Sequence, residues 1–212
     1  SKEADFKDWS HRLEIHGLDL RHTPSVELFT RYIYERTDRL DILINNAAQT
    51  VRRPPGFYSH MMELENKDVS ALSEDAQLLL QAHEGCKRKI SAAFPVESET
   101  ALPTQWHGQA PGVGIRASAQ LSQIPYSYDS SIVAEEVFPQ GELDADLQQV
   151  DLRTVNSWRL KLAEVPTPEL LEVQLVNAIA PFILNSRLKP LMLATPEDDR
   201  RIVSVSAVER HF

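Results

Sequence analysis

The sequence predicts an α/β fold with a parallel sheet, and three observations support this prediction. Residues 40–45 form a short apolar run that stops at two asparagines, which is typical of a strand buried on both faces. Residues 201–206 form a second apolar run, which we interpret as the parallel neighbour of the first. A helical pattern precedes each run, as expected when helices connect parallel strands.

The first fifty residues predict a β-α-β unit. Residues 13–20 alternate between apolar and polar side chains, which is typical of a strand. Thr23 and Pro24 then supply an N-cap hydroxyl and a first-turn proline, and apolar residues at helical spacing continue to about Thr37. With 40–45 as the second strand, the crossover should be right-handed.

Residues 51–152 are interpreted as an insertion. The run at 52–56 (Arg-Arg-Pro-Pro-Gly) continues neither a helix nor a central strand. Helical spacing of apolar residues predicts one helix within 68–89, and after Phe94 the composition turns to Pro, Ser, Gln, Gly and Glu. We therefore expect the insertion to be partly helical and partly irregular, and a lid over the site is an alternative interpretation.

A long apolar helix is predicted before the last strand. Thr167 and Pro168 begin it, and the residues that follow are apolar on most faces, so it should be buried in its own domain or against another subunit. Pro181 lies four residues after Asn177 and has no N–H. The Asn177 carbonyl should therefore lose its helical partner, and the helix should kink.

Composition and charge exclude several classes of protein. The 212 residues carry a formal net charge of −9, which does not favour a nucleic-acid surface. No apolar run is long enough to span a membrane, and the N-terminus has no signal-peptide pattern. The single cysteine, Cys86, fits a reducing compartment, so a cytoplasmic location is predicted.

Two weaker patterns are interpreted without a function. The spacing Gly-x-x-x-Gly-x-Gly at 108–114 suits a phosphate-binding turn, but no strand precedes it and a proline lies inside it. We predict a coincidental loop there. Histidine pairs such as His11 and His16, or His83 beside Cys86, have no further ligands at metal spacing, so they are interpreted as surface residues and no metal site is predicted.

Three motifs together resemble the short-chain dehydrogenase/reductase family. Residues 45–48 (Asn-Asn-Ala-Ala) resemble its Asn-Asn-Ala-Gly motif. Val176 and Asn177, followed by Phe182, resemble its Val-Asn-x-x-x-x-Phe pattern. Residues 201–206 resemble its strand Ile-Val-Asn-Val-Ser-Ser.

The resemblance implies a partial Rossmann-like fold, that is, a doubly wound parallel sheet in a three-layer αβα domain with a long irregular insertion. Residues 1–50 and 153–212 would form the domain, and 51–152 would be inserted between them. The family's strand order places two further strands between 13–20 and 40–45. The chain is therefore expected to be a fragment of a longer polypeptide, or to be completed by other chain segments.

The resemblance also implies NAD or NADP as the cofactor. Asp19 would accept a hydrogen bond from the adenine amino group, and the Leu20 main chain would meet a ring nitrogen. The implied cofactor-binding residues are Asp19, Leu20, Asn45, Asn46, Ala47 and Ala48. Asn177 would hold a water of a proton relay through its main-chain carbonyl. Ser206 is a candidate catalytic residue, although Ala207 aligns with the family's serine.

The sequence departs from the family at its catalytic residues. Ala207 cannot donate the hydrogen bond that polarises a substrate carbonyl. None of the five tyrosines is followed four residues later by lysine, so the Tyr-x-x-x-Lys pair is absent. No glycine-rich turn follows a predicted strand. The chain by itself is therefore expected to be inactive.

Three functional hypotheses remain open. The first is an NAD(P)-dependent short-chain oxidoreductase, which moves a hydride between the nicotinamide and a small-molecule carbonyl or alcohol. The second is a catalytically silent relative that acts as a scaffold or dimerisation module, and Ala207 favours it. The third is another α/β nucleotide-binding protein that shares only the β-α-β pattern. A homo-oligomer formed through the helix at 167–189 is expected for the family, with no nucleic acid and no membrane as partner.

Overall fold

The computed structural model describes residues 3–50, 52–93, 112–127, 129, 132–145, 148–196 and 199–205. Over these residues the chain is mostly helical, with a two-stranded parallel sheet formed by β1 (Ile42–Asn45) and β2 (Arg201–Ser204). The α/β class is therefore confirmed. The full doubly wound sheet is not present in these ranges, in which the sheet has two strands.

The parallel pairing of the two apolar runs is confirmed. Ile42 lies opposite Arg201, and Asn45 lies opposite Ser204. Parallel pairing places the carboxyl ends of both strands at the same edge of the sheet. The loop that follows Asn45 therefore begins at the edge where β2 also ends.

Strand β1 begins at Ile42, two residues later than predicted. The reason is that Leu40, the predicted first residue, is hydrogen-bonded to the end of the long C-terminal helix and to the residues that follow it. The main-chain N of Leu40 donates to the carbonyl of Leu191 at 3.1 Å. The hydroxyl of Thr195 donates to the Leu40 carbonyl at 3.0 Å. Both main-chain groups of Leu40 are thus bonded outside the sheet.

Nine α-helices are described in this part of the chain, several of them a single turn long. In chain order they are α1 (Phe6–Trp9), α2 (Thr23–Arg36), α3 (Met62–Glu65), α4 (Glu74–Ala93), α5 (Val113–Arg116), α6 (Ser118–Ser122), α7 (Ala134–Val137), α8 (Thr167–Gln174) and α9 (Ala180–Leu193). Turns of 3₁₀-helix occur at Ser10–Arg12, Pro55–Met61, Val69–Ala71 and Leu162–Glu164. The helix predicted within 68–89 is α4, which begins and ends a few residues later.

The strand predicted at 13–20 is wrong. This segment is not a strand, and its main chain bonds to helices of the insertion instead. The Ile15 N–H donates to the Leu79 carbonyl in α4 at 3.0 Å, and the Asp19 N–H donates to the Gly114 carbonyl in α5 at 2.8 Å. Alternation shows which side chains face inwards, but a strand also needs a neighbouring strand, and here helices occupy that place.

The helix predicted from Thr23 is confirmed as α2, with a different cap. His22 is the N-cap, because its Nδ1 accepts a hydrogen bond from the Ser25 N–H at 3.2 Å. Pro24 lies in the first turn, as predicted, where its missing N–H has no effect on the helix. The helix buries Val26 and Tyr32.

The core forms on two faces of α2. On one face Tyr32 clusters with three residues of the insertion, which are Cys86, Ile90 and Ile115. On the other face Val26 clusters with Ala180 and Ile183 of α9. Helix α2 therefore lies between the insertion and the long C-terminal helix, and both pack against it.

The long helix predicted from Thr167 is interrupted close to Asn177. A π-helical turn, Leu175–Ile179, joins α8 to α9, and the Ala180 N–H donates to the Leu175 carbonyl five residues back. Pro181 follows directly in the first turn of α9. The predicted disturbance of the helix thus takes the form of a π turn, and the release of the Asn177 carbonyl stays a prediction.

The long helix is not buried on all its faces within the chain. Leu171 is 58% exposed and Phe182 is 69% exposed, whereas the carboxylates Glu169 and Glu172 are buried. The expectation that the helix is buried in its own domain is therefore wrong, because the buried side chains of α8 are carboxylates and several apolar side chains face outwards. Of the two sequence-based alternatives, burial against another subunit remains.

His16 and His83 face each other where α4 packs against the extended segment at 13–20. Their ring centroids are 5.9 Å apart, and the His16 side chain is only 9% exposed, so its interpretation as a surface residue is wrong. Within the described residues, Nδ1 of each ring has no hydrogen-bond partner. Burial lowers the pKa of His16 and of His83, although Glu14 lies 3.5 Å from His16 Nε2.

The two histidines should make the stability of the chain fall at mildly acidic pH. Because their pKa values are lowered on folding, the unfolded chain binds more protons below the usual histidine pKa of 6.5. The contribution of the two neutral histidines to the free energy of unfolding should therefore be fully present above about pH 7. It should be lost as the pH falls towards about pH 5. When urea unfolding is measured across this pH range, the free energy of unfolding should decrease less in His83→Gln than in the wild type.

The matched control is the exposed His60, whose replacement by glutamine should leave the wild-type pH dependence in place. Equal pH profiles of wild type and His83→Gln would contradict the role of the buried pair.

Candidate functional site

A cavity of about 470 Å³ opens beside Asp19 and Leu20, the two residues implied for adenine binding. The extended segment 17–21 forms part of its lining, together with Gln49 and Val176. The insertion supplies the rest through residues between Tyr58 and Glu65 and through α6. The cavity therefore lies between the extended segment before α2, the loop after β1, the long helix and the insertion.

The Asp19 carboxylate is fully engaged by its neighbour Arg21. Four hydrogen-bond contacts of 2.7–3.2 Å reach it from the main-chain N, Nε and Nη2 of Arg21. A carboxylate offers about four acceptor positions. Asp19 is buried and holds the end of the segment in a tight turn, so its oxygens are not free for a ligand.

Arg21 connects Asp19 to a second buried carboxylate, Glu172 of α8. Its Nη1 donates to Glu172 Oε2 at 3.3 Å. Burial acts to lower the pKa of Arg21, but the bonds to Asp19 and Glu172 outweigh it and raise the pKa overall. The guanidinium is therefore held charged between two carboxylates.

Glu172 is the centre of this polar network and is only 5% exposed. Its Oε1 accepts a hydrogen bond from Gln49 Nε2 at 2.5 Å, and its Oε2 accepts one from the Tyr126 hydroxyl at 2.9 Å. Arg52 Nε lies 3.8 Å from Oε2. A buried carboxylate requires such partners, and here they come from three separate segments of the chain.

Arg52 and Tyr126 connect the insertion to this network. The Arg52 guanidinium lies 4.1 Å from the centre of the Tyr126 ring and donates to both oxygens of Asp129, at 2.8 and 2.7 Å. Burial and the bond to Glu172 raise the pKa of Tyr126 to about 12. The hydroxyl is therefore protonated at neutral pH and donates to Glu172.

Asn177 fixes the loop that follows β1. Its Oδ1 accepts a hydrogen bond from the Gln49 N–H at 2.7 Å, and its Nδ2 donates to the Gln49 carbonyl at 2.7 Å. The side-chain amide thus satisfies both main-chain groups of one loop residue. Asn177 of the Val-Asn motif is thus bonded to the residue that directly follows the Asn-Asn-Ala-Ala motif.

The other predicted residues of the loop lie in two environments. Asn45 is buried, and its Nδ2 donates to Asn185 Oδ1 in α9 at 3.0 Å. Its own Oδ1 has no partner among the described residues. Asn46, Ala47 and Ala48 are exposed, so this part of the loop is open to a ligand.

Some predicted positions are outside the described residues. These are Ser206, Ala207 and the start of the glycine pattern at Gly108. The end of that pattern lies in a packed region: the Gly114 N–H donates to Ser25 Oγ at 2.9 Å, and a Cβ on Gly112 would lie 2.2 Å from Ile90. These glycines permit close packing against α2 and α4.

Sequence reasoning missed the residues of the polar network. Glu172 carried a signal, because it is a charged residue within the mostly apolar run 170–176. Arg21, Arg52 and Tyr126 carried none that a local pattern shows, since the carboxylate that they share, Glu172, is far away from each of them in the sequence. Gln49 directly follows the Asn-Asn-Ala-Ala motif but has no counterpart in it.

Metal and membrane features were searched in the same ranges. In the described part of the chain, no three His, Cys, Asp or Glu side chains come together as metal ligands. No helix there has both the length and the apolar character needed to cross a membrane.

Comparison with known proteins gives no match: no family model, no curated protein and no solved structure is similar to this chain.

Removing the Tyr126 hydroxyl should destabilise the chain through the Glu172 network. Tyr126→Phe deletes a donor to a buried carboxylate, which should lower the free energy of unfolding by about 1–3 kcal/mol. Urea unfolding at neutral pH measures it. Tyr34, which is 52% exposed, is the matched control, and Tyr34→Phe should change stability little. Equal effects of the two variants would contradict the assignment.

Proposed function

We propose that this chain is part of an NAD(P)-dependent short-chain oxidoreductase, which moves a hydride between the nicotinamide and a carbonyl or alcohol. The observation that supports this most is the pair of hydrogen bonds between Asn177 and Gln49. It joins the loop after β1 to the π turn of the long helix, across 128 residues of sequence. In the resembling family these two motifs serve the same site.

The sheet supports the proposal in a second way. Ligands of parallel α/β sheets bind beyond the carboxyl ends of the strands, and β1 and β2 end at one edge. The exposed residues 46–48 follow β1 at that edge. Small side chains there permit close approach of a ligand to the main chain.

The residues beside the cavity fit the cofactor in part. The cavity volume lies within the usual range of roughly 300–1,000 Å³ for small-molecule sites, and much of its lining is apolar. Leu20 lines the cavity, and its main-chain N–H is the group proposed to meet a ring nitrogen. The Asp19 carboxylate does not suit its implied role, because Arg21 occupies it.

In this proposal each residue has a limited task. The bound cofactor supplies the hydride. Asn177 orients the loop through its side chain, and its main-chain carbonyl at the π turn is the group proposed to hold a relay water. The sequence contains no Tyr-x-x-x-Lys, so the proposal assigns the proton donor of the reaction to none of the residues named here.

The proposal is tested with the complete product of the gene that encodes this chain. We expect this product to oxidise NADH or NADPH while it reduces aldehydes or ketones. Asn177→Ala should lower kcat by about tenfold or more, because the loop and the relay are disturbed. The 212-residue chain alone should show no turnover. Asn66→Ala, at an exposed position, is the control and should keep the wild-type kcat.

Two outcomes would refute the proposal. One is the absence of hydride transfer from both cofactors in the complete product. The other is tight stoichiometric binding of NADH or NADPH together with turnover by the 212-residue chain alone, which would require catalytic residues other than those named.

A non-catalytic scaffold or dimerisation module is the second candidate. The exposed apolar residues of the long helix, among them Leu171, Ile179 and Phe182, favour it because an apolar face of this kind is typical of an interface. Ala207, in the place of the family's serine, points the same way.

Self-association through the long helix is the expected result for either candidate. Sedimentation velocity at micromolar concentration should show a dimer or larger species, and Phe182→Asp should shift it to the monomer because a charge is placed in the interface. Trp158 is similarly exposed at 66% but lies outside the helix, so Trp158→Asp should not change the oligomer. A wild-type monomer would refute the interface.

A further inference from the structure

We propose that Ser118 and His83 are a nucleophile and its base at the edge of the cavity, and that they hydrolyse carboxylic esters with a neutral acyl group. The inference goes beyond the proposed function and does not depend on it, because ester hydrolysis needs water and no cofactor. It also gives a task to the buried pair of histidines, which hydride transfer does not use.

The Ser118 hydroxyl and the His83 ring meet at Gly17, which has no side chain to separate them. A Cβ built on Gly17 would lie 2.9 Å from Ser118 Oγ and 3.6 Å from His83 Nε2, so both atoms border the same small space. Gly17 and Ser118 also line the cavity of about 470 Å³. No hydrogen bond joins the two described side chains, and in the absence of substrate such a bond is often not yet formed.

The two histidines favour the tautomer that a base needs. Nδ1 of His83 and Nδ1 of His16 are both buried and have no hydrogen-bond partner among the described residues. The rings lie edge to face, with their centroids 5.9 Å apart. A proton on His83 Nδ1 that is directed at His16 Nδ1 serves both atoms, and it leaves Nε2 of His83 with a lone pair for the Ser118 hydroxyl.

Glu14 supports this arrangement from the far side of His16. Its Oε2 lies 3.5 Å from His16 Nε2, and the hydrogen bond from Arg36 lowers the pKa of Glu14, so the carboxylate is charged at neutral pH. A charged carboxylate favours the proton on His16 Nε2 and leaves His16 Nδ1 as the acceptor. Burial lowers the pKa of His83, which keeps that ring neutral and able to accept a proton at neutral pH.

The proposed reaction has two steps. Ser118 Oγ attacks the ester carbonyl carbon while its proton passes to His83 Nε2, and the C–O bond to the alcohol then breaks as the alcohol takes that proton. In the second step water attacks the acyl group on Ser118 and gives a proton to His83. The carboxylic acid leaves, and the proton returns from His83 to Oγ.

The lining of the cavity sets the class of acyl group. Leu18, Met61 and Met62 supply apolar surface beside Ser118. The exposed Glu65 also lies in the lining and repels an anionic group. A neutral aliphatic acyl chain therefore fits this cavity better than a charged one.

A fluorophosphonate tests the nucleophile directly, because an activated serine Oγ bonds to its phosphorus and displaces fluoride. Peptide mass spectrometry then identifies the labelled residue. We expect one label on the 212-residue chain, at Ser118. Ser118→Ala should lose the label, and Ser59→Ala, at an exposed position, is the matched control that should keep it.

Hydrolysis of 4-nitrophenyl butyrate tests the base. Ser118→Ala and His83→Gln should each lower kcat/KM by about a hundredfold or more, while urea midpoints show that the variants are folded. His60→Gln, at an exposed position, should keep the wild-type rate.

His16 is a positioning residue, and the pH dependence of kcat/KM separates this role from a structural one. The reaction needs neutral His83, so the rate should decrease as the pH falls below the usual histidine pKa of 6.5. The titratable and charged groups around the two rings are Glu14, Tyr32, Arg36, Glu84 and Lys87. His16→Gln should move the midpoint of this decrease to higher pH, because protonated His16 no longer lowers the pKa of His83.

Three results would overturn the inference: no label at Ser118, hydrolysis by Ser118→Ala at the wild-type rate, or wild-type labelling and hydrolysis in His83→Gln. An unchanged midpoint in His16→Gln would overturn the role of His16. None of these results bears on hydride transfer, which is assayed with NADH and NADPH on the complete gene product, so the two proposals fail separately.

Discussion

The structure around the candidate site depends on one buried carboxylate, Glu172. A charged group that is 5% exposed is tolerated only when its oxygens are hydrogen-bonded, and Arg21, Gln49 and Tyr126 provide these bonds. The three partners come from the segment before α2, the loop after β1 and the insertion. Removing any one of them leaves a buried oxygen with fewer donors. The insertion is consequently held at the site by the hydrogen bond from Tyr126 to the buried Glu172 carboxylate. The apolar packing of Cys86 and Ile115 against α2 holds it as well.

This carboxylate also explains the orientation of the long helix. With Glu169 and Glu172 on the inner face of α8, the leucines at 170 and 171 face outwards. An ordinary surface helix has the opposite arrangement. The apolar character that the sequence shows is therefore divided between the core contacts of α9 and an outer surface that this chain alone does not cover.

Local patterns in the sequence predicted those elements whose partners are themselves local or strongly apolar. Helix α2, strands β1 and β2 and the start of α8 follow from first-turn prolines, helical spacing and apolar runs. The segment 13–20 shows the limit of such reasoning, because alternation cannot reveal whether a strand or helices α4 and α5 lie beside it. The Glu172 network could not be predicted either. Its members are up to 151 residues apart, and although Glu172 stands out in a mostly apolar run, no local pattern shows which residues bind it.

The π turn has a geometric consequence that unites the motif residues with the network. In a regular α-helix with 3.6 residues per turn, two residues five positions apart lie about 140° apart around the axis. Glu172 and Asn177 are five positions apart, yet both bind Gln49. Glu172 binds the Gln49 side chain, and Asn177 binds the Gln49 main chain. The π turn begins at Leu175, between them, and closes on the fifth residue instead of the fourth. This widening brings Asn177 towards the face of Glu172. The irregular turn therefore reduces the angle between the two residues of the long helix that bind Gln49.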